Sequence, residues 1–553
     1  MNRKFLGYVA TIAAAAIICA TSIFATRNDF GLGRNMEIMV NLMHTLATQY
    51  VDEVNADDMM RNGAEGITRK LDPYTAFMPE EEMSDFETMT TGRYGGIGSL
   101  IRQKDDYVMI AEPYQGAPAD RAGLKIGDKI VAINGEAAKH FKVEDVSKRL
   151  RGEPNSTVRV TVEQLIDGKL VEHKIRRERI AIPSIPYAGY VAEGVGYIRH
   201  SDFTNSCYDD MRDAILRLQN ESQLNKLILD YRNNGGGVLQ SAIDILSLFV
   251  PRGTMVVETK GRTAQESRKF LTRYDPLLPT TPIIVLINSS SASAAEIVAG
   301  AIQDLDRGVL IGERSFGKGL VQATYPLGYN SFVKLTTARY YIPSGRCIQA
   351  AKYSSDGKAE AVADSLINEF KTAAGRKVYD GGGIMPDVKV KPEYISNFAV
   401  TLYLLGIIDD FGDEYYKKHH NATINPDNFT ITEADYEDFK LLVEKRDVPY
   451  KSESRAALEK LKASLKKERY DSSAEAIKAI EAELKDDKLS NLETYRKEII
   501  ESINSNIVLR FAYSVGVIRH SLDNDIVIKR GVELLADTKE YDRIRSSQDT
   551  ARK

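Results

Sequence analysis

The sequence predicts a multidomain α+β protein. The chain has 553 residues, more than one ordinary core holds. Its patterning changes along its length, from helical spacing to short strands and turns, then to strands alternating with helices, then to charged helical text. Hydrophobic residues make up 43% and charged residues 27%, a balance that suits soluble globular domains.

The N-terminus comes first. Arg3 and Lys4 precede an uncharged run, "FLGYVATIAAAAIICATSIFAT", of 22 residues from Phe5 to Thr26. A charged start followed by such a run fits a secretory signal peptide or a single membrane anchor, residues 1–26. A buried core helix is the competing reading. Cleavage near Ala20-Thr21-Ser22 suits a signal, whereas Ile17-Ile18 before Cys19 makes a poor lipid-attachment context. The rest of the chain is then exported, anchored at the inner membrane or free in the periplasm or cell envelope.

Residues 30–91 read as helical. Met36, Met39, Val40, Met43, Leu46 and Ala47 recur at i, i+3 and i+4, one face of a helix. Asp72-Pro73 breaks the next helix. Residues 92–179 change to strands and turns. Two strands flank Lys104-Asp105-Asp106, another ends at Asn134-Gly135, "KVEDVSKRLRG" reads as a helix, and a hairpin turns at Asp167-Gly168. Residues 180–390 alternate. "VGYIRH", "KLILDYR" and "TPIIVLIN" are short apolar runs, and helical patterns follow the last two, the order of a layered α/β core. Residues 391–553 are helical and charged. Leu458, Leu461 and Leu465 share one face, as do Ile477, Ile480 and Leu484, which reads as a solvated helical appendage or a partner-binding region. Dimer building is the partner role this region suggests.

The net charge of −4 argues against a nucleic-acid surface. Cys19, Cys207 and Cys347 form no C-x-x-C pair, which speaks against a zinc knuckle. Cys207 and Cys347 are expected as two buried thiols, with a bridge between them as the alternative. His419-His420 has no H-E-x-x-H companion, so no metal site is expected, and no organic cofactor is implied.

Chemistry concentrates in the alternating segment. In "NSSSASAAEIVAGAIQD" a strand ends at Asn288 and a helix starts near Ala294. A serine at such a turn faces outward-pointing amides and the positive end of a helix dipole, a setting for a nucleophile whose intermediate carries an oxyanion. A serine-rich N-cap is the alternative. In "LILDYRNNGGGVLQSAIDIL" a second strand ends at Asp230 before three glycines and a second helix. Glycines let backbone amides approach a ligand closely, or serve a loop that needs positive φ.

A nucleophilic serine needs a base. None of the seven histidines sits in a convincing triad context. His200, after a core strand, is the rival to test, although a packing or surface histidine is its favoured reading. A lysine serves instead if it is kept neutral by burial. Lys318 in "GERSFGKGLVQ" stands among Phe316, Gly317, Gly319 and Leu320, a context with few charges. The same stretch meets much of a phosphate-loop pattern, G-x-x-x-x-G-K. That loop needs a Ser or Thr after the lysine and a helix beyond it. Here Gly319 follows, and "LVQATYPL" reads as a strand.

Together these residues resemble the C-terminal processing peptidases, also called tail-specific proteases. The resemblance covers roughly Tyr50 to Val390, through "LDPYTAFM", "GRYGGIG", "GAPADRAGLKIGDKIVAINGE", "LILDYRNNGGG", "SASAAEIVAGAIQD", "GERSFGKGLVQ", "YYIPSGRCI" and "GGGIMPDV" in order. It implies a layered crotonase-like α/β peptidase core with an inserted PDZ domain and helical N- and C-terminal regions. It implies a serine endopeptidase in which Ser293 is the nucleophile, Lys318, 25 positions later, the general base, and Gln322 the residue that orients the lysine, on the same strand. The amides of Gly236 and Ala294 would form the oxyanion hole, with Ser289, Ser290 and Ser291 as turn or capping residues. Tyr94, Gly95, Gly96, Ile97 and Gly98 match the PDZ loop that captures a peptide's C-terminal carboxylate. The implied partners are protein substrates with accessible C-terminal tails. Two departures stand out: Gly235 replaces the family's usual proline, and Ala295 replaces a serine common after the nucleophile's motif. A catalytically silent PDZ scaffold and a crotonase-like acyl-thioester enzyme are the alternatives. The intact Ser293, Lys318 and Gln322 oppose the first, and the Ser-Lys spacing and PDZ module oppose the second.

Overall fold

The computed structural model describes residues 27–353, 359–392, 394–450, 452–470, 474–484 and 487–546. The apolar leader and Cys19 lie outside the described residues. Among the described residues no helix is long and apolar enough to cross a membrane.

The described residues fall into two compact units. The first ends at Glu81 and takes back Gln322–Thr336 and Tyr353–Ala359. Its helix Arg27–Gln49 leaves Leu32, Met36, Met39, Val40 and Leu46 exposed. Helix Ala56–Thr68 starts on Asn55, whose side chain accepts from the amides of Asp57 and Asp58, satisfying donors that a helix start leaves bare. At the predicted break, Asp72 Oδ1 accepts from the amides of Tyr74 and Thr75, both at 2.8 Å. The turn leads into strand Ala76–Met78, paired antiparallel with Phe332–Lys334.

The second unit holds the remaining elements. Strands Ser99–Lys104, Tyr107–Pro113, Lys129–Ile133, Thr157–Glu163 and Leu170–Arg176 neighbour one another in that order in one sheet. Val108, Ile110, Ile130, Val158, Val160 and Val162 alternate inward onto Val146 and Leu150 of helix Val143–Leu150, the period-2 pattern of a half-buried sheet. Ser99–Lys104 and Leu170–Arg176 are its two edge strands. Tyr94, Gly95 and Gly96 belong to a strand, Arg93–Gly96, paired antiparallel with Glu178–Ala181. The glycine-rich run predicts an open loop across all of them; the structure confines the open turn to Ile97 and Gly98. Glycine is required here for close packing. A Cβ on Gly95 would lie 2.2 Å from the carbonyl oxygen of Gly152, and one on Gly98, at φ 72°, would lie 2.5 Å from Ala117 Cβ.

The core sheet orders strands Tyr187–Ala192, Val195–Arg199, Lys226–Asp230, Ile283–Ile287, Val309–Gly312 and Val388–Lys389 side by side. The first pair is antiparallel and the other neighbours are parallel. Parallel strands need helical crossovers and covered faces. Helices Cys207–Glu221, Leu239–Leu246 and Ala294–Asp304 cover one face through Met211, Ile215, Ile243, Leu246, Val298 and Ile302. The first of these helices was not expected from the sequence. Cys207 is buried and Cys347 half-buried, both free, and burial pushes the Cys207 thiol up to about 12.

The opposite face corrects the sequence reading. Helices Ile526–Ala536 and Thr538–Ser546 lay Val527, Ile528, Leu534, Leu535, Tyr541 and Ile544 on Ile228, Ile284, Leu286 and Ile311. The hydroxyl of Tyr541 donates to the carbonyl of Ile283 at 3.0 Å. These last two helices are therefore a layer of the core, not a solvated appendage, because the sheet's second face has to be removed from water. Phe398, Phe411, Tyr436, Phe439 and Ile503 of the preceding helices bury one another in a cluster of their own. The leucine faces named from the sequence contribute little: Leu458 is buried, but Leu461 is 46% and Ile480 43% exposed.

The same region grips the strand module. Lys104 pairs with Asp410 at 2.8 Å and Asp413 at 3.0 Å on helix Ile407–His419, and Arg102 pairs with Asp409. Helix Arg496–Leu522 is interrupted at Tyr513 (φ 58°, ψ −172°). There Glu112 accepts from the Ser514 amide at 2.8 Å and Asp120 from the Tyr513 hydroxyl at 3.1 Å.

Candidate active site

Strand Ile283–Ile287 is buried throughout, and the chain turns after it into helix Ala294–Asp304. Ser291 makes the turn. Its hydroxyl accepts from the Asn288 amide and donates to the carbonyl of Tyr231, each at 2.9 Å. Ser289 and Ser290 are exposed. Ser293, half-buried, has φ 55° and ψ −117°, a conformation that costs a non-glycine residue energy and collects at functional turns.

The glycine turn after strand Lys226–Asp230 meets this serine. A Cβ on Gly236, at φ 96°, would lie 2.7 Å from Ser293 Cβ and 2.8 Å from the amide nitrogen of Ala294. Only glycine lets the two turns approach so closely. Asn234 stitches them, its carbonyl accepting from the Ala292 amide at 2.9 Å and its side-chain oxygen from the Gly236 amide at 2.8 Å. The Gly236 amide expected to serve an oxyanion is thus engaged by Asn234 in this structure. Ala294 begins its helix, so its amide has no carbonyl partner within that helix.

Lys318 lies two residues before strand Leu320–Gly328. This corrects the expectation that Lys318 and Gln322 share a strand. Gln322, in the first unit, donates to Thr336 Oγ1 at 3.3 Å. The loop around Lys318 is pinned through its backbone. Phe316 donates its amide to the carbonyl of Ser291, and Gly319 donates its own to Gln349 Oε1 at 2.7 Å. The hydroxyl of Tyr340 donates to the Lys318 carbonyl. The predicted strand follows the lysine where a phosphate loop requires a helix.

The main feature missed in the sequence is Glu296, which is fully buried. Its Oε2 accepts from the amides of Ser293 and Lys318, both at 2.9 Å. Its Oε1 accepts from the Gly317 amide at 2.7 Å and from the Ser315 hydroxyl. One carboxylate therefore ties the turn of Ser293 to the loop of Lys318, a charged group in surroundings expected to hold few. A signal existed: Glu296 is the third residue of its helix, in the Ser-x-x-Glu spacing of a capping box. Burial raises its pKa from the usual 4.5 to about 7, against the hydrogen bonds from Ser315, Lys318, Gly317 and Ser293. Because the folded value lies above the unfolded one, the stability this group contributes is complete below pH 4.5 and is lost as the pH rises through about 7. Urea unfolding across that window is expected to show this loss in the wild type and not in Glu296→Gln, which carries no titrating proton there. Equal slopes in the two proteins would refute the assignment.

His200 is a packing residue. It is fully buried between Phe203 and Tyr231, its Nε2 lies 2.9 Å from the carbonyl of Asp202, and burial pushes its pKa down to about 3.

Comparison with known proteins agrees with this architecture. The family description "Peptidase family S41" matches residues 194–359, "PDZ domain" matches 109–164, and "Probable PDZ-protease, C-terminal helical domain" matches 398–535. The "Carboxy-terminal-processing protease" of Bartonella bacilliformis is 34% identical over 361 residues, spanning 64% of this chain and 82% of that protein. The "Probable CtpA-like serine protease" of Staphylococcus aureus is 29% identical over 391 residues, 69% of this chain and 77% of its own length. Among solved structures, a "photosystem II D1 C-terminal processing protease" is 26% identical and covers 65% of this chain and 88% of its own, with a TM-score of 0.35. Sequence relatedness over most of a relative's length, with the peptidase, PDZ and helical matches in one chain, makes this protein a member of peptidase family S41, the carboxy-terminal-processing proteases, and a serine-type peptidase.

Proposed function

We propose that the chain is an endopeptidase that captures the C-terminal tails of exported proteins on its PDZ domain and cleaves them with a Ser293–Lys318 pair. The observation that carries the reading is the shared carboxylate of Glu296, which holds the amides of both residues on one oxygen. Ser293 Oγ attacks the peptide carbonyl carbon and its proton passes to Lys318 Nζ, which must be neutral to accept it. The intermediate's oxygen takes a hydrogen bond from the Ala294 amide, and from the Gly236 amide once Asn234 shares or releases it. Collapse breaks the C–N bond, and Lys318 returns the proton to the leaving amine. Water then attacks the acyl-enzyme with Lys318 again as base, freeing Ser293. Gln322 is proposed to orient the lysine.

The tail would add as a strand beside Ser99–Lys104, the edge strand of its sheet that follows the Ile97-Gly98 turn, with its carboxylate at that turn. The leader supports export to the periplasm or cell envelope. The test is cleavage of an unfolded protein with an apolar C-terminal tail, followed by mass spectrometry, with the same protein amidated at its C-terminus. Cleavage of the free-carboxylate form is expected, with KM raised about tenfold or more by amidation, the cost of a lost charge-assisted hydrogen-bond set. No product from either form would overturn the peptidase reading, and equal KM values the tail capture.

A further inference from the structure

Strand Lys226–Asp230 delivers the chain to the glycine turn, and an ion-pair chain sits at that point. Asp230 is fully buried. It accepts from Tyr197 at 2.7 Å, from Arg199 Nη1 at 2.9 Å and from Arg232 Nη2 at 2.6 Å. It also accepts from the Arg232 Nε and from the Arg232 amide. Burial alone would raise its pKa, but Arg232, Arg199 and the Tyr197 hydroxyl hold it at about 2. Two guanidinium groups thus face one carboxylate. The second counter-charge arrives from the far end of the chain. Asp525 Oδ2 accepts from Arg232 Nη1 at 2.7 Å, while its Oδ1 caps helix Ile526–Ala536, accepting from the amides of Val527 at 2.8 Å and Ile528 at 3.0 Å.

Arg232 is held on both edges of its guanidinium, and the residue after it is Asn233, at φ 61°. From there the chain runs through Asn234 and Gly235 to Gly236, which lies against Ser293 and Ala294. The turn begins at Arg232, whose guanidinium links Asp230 at the strand end to Asp525, and is held further on by Asn288, whose side-chain oxygen accepts from the Asn233 amide at 2.9 Å. Without Asp525 a half-buried guanidinium keeps an unpaired edge beside the turn, with two positive charges left on one carboxylate.

We propose that Asp525, in the C-terminal helical layer, is a positioning residue for the peptidase reaction: it holds Arg232, and through it the turn of residues 233–237, in register with Ser293. This rests on the reading of Ser293 as nucleophile and of the Gly236 turn as its oxyanion partner. It makes the C-terminal layer part of the support of the active site as well as a cover for the sheet.

The test is Asp525→Asn in the full chain. Asparagine caps a helix about as well as aspartate, so the variant is expected to stay folded at the assay temperature with only a modest drop in Tm, while the negative charge that faces Arg232 is lost. On a tailed protein substrate, kcat is expected to fall about tenfold or more with KM unchanged, the effect of a small misplacement of reacting groups. A peptide boronic acid, which forms a tetrahedral adduct on a nucleophilic serine, is expected to weaken by the same factor, and binding of a tail peptide to stay constant. Arg232→Gln and the double variant are expected to lose no more than the larger single loss, as residues acting through one contact do. A kcat within twofold of wild type overturns the inference. So does a loss of activity that disappears when the variant is assayed well below its Tm, which would make Asp525 a helix cap alone. Ser293→Ala run in parallel separates the two levels: if it retains activity, the nucleophile reading fails and the inference falls with it. If it is inactive and Asp525→Asn is fully active, only the inference falls.

Discussion

Ser293→Ala is expected to abolish cleavage of a tailed protein, lowering kcat by roughly 10⁴-fold or more, since the covalent step loses its nucleophile and only binding and oxyanion stabilisation remain. The fold is expected to persist. Alanine meets the same backbone cost at φ 55° as serine does, and the contacts that lock the turn are made by the Ser293 amide, by Glu296 and by Ser291, not by the hydroxyl that is removed. Tail-peptide binding and Tm are therefore predicted to match wild type in calorimetry, with product formation absent over a turnover time course. Wild-type cleavage by this variant would return Ser293 to the role of a helix N-cap.

Lys318 carries the second large effect. Lys318→Ala is expected to lower kcat by about 10³-fold, within the usual range for a lost general base. The informative partner is Lys318→Arg. It keeps the charge and most of the length, but a guanidinium cannot give up its proton in a protein, so a base role predicts that it is as inactive as the alanine variant. A lysine needed only for its positive charge would tolerate arginine. Stability is expected to change little in either case, because the loop is held through the backbone: the Lys318 amide on Glu296 and its carbonyl on the Tyr340 hydroxyl. Single-turnover kinetics with a tailed substrate separates the outcomes, and full activity in Lys318→Arg would remove the base assignment.

The turn of Ser293 and the loop of Lys318 meet at Glu296. The nucleophile and base candidates were legible because each sits in a short motif whose chemistry is local: a strand-to-helix turn rich in small residues, and a lysine flanked by glycines without the hydroxyl that a phosphate loop needs. Glu296 was present in the same motif and went unread, although its position in the helix is a recognised capping pattern. What a capping pattern does not reveal is a second customer. The same carboxylate that receives the Ser293 amide also receives the Gly317 and Lys318 amides, from a loop more than twenty residues along. Similarly, the glycines of "GRYGGIG" signalled close backbone approach. That Gly95 packs on Gly152 and Gly98 on Ala117, leaving only Ile97 and Gly98 as open turn, depends on how the sheet closes.

The pattern of apolar and polar residues determined the order of elements: the alternating strands of the PDZ domain, the continuously apolar strands of the core sheet and the helices after them. Periodicity and turn chemistry act within a few residues and leave their mark in consecutive letters. The tertiary structure alone decided which helices cover the second face of the core sheet, since burial of apolar surface is non-directional and a buried strand does not name its cover. The leucine repeats of residues 458–484, strong as pattern, bury only Leu458 and leave Leu461 and Ile480 exposed, while Val527, Ile528 and Leu534 fill that face. It also decided that Asp525 would meet Arg232 at 2.7 Å. Nothing in either neighbourhood announces that contact, because an ion pair is set by distance in space, and only the packing of the C-terminal helices onto the sheet supplies the distance.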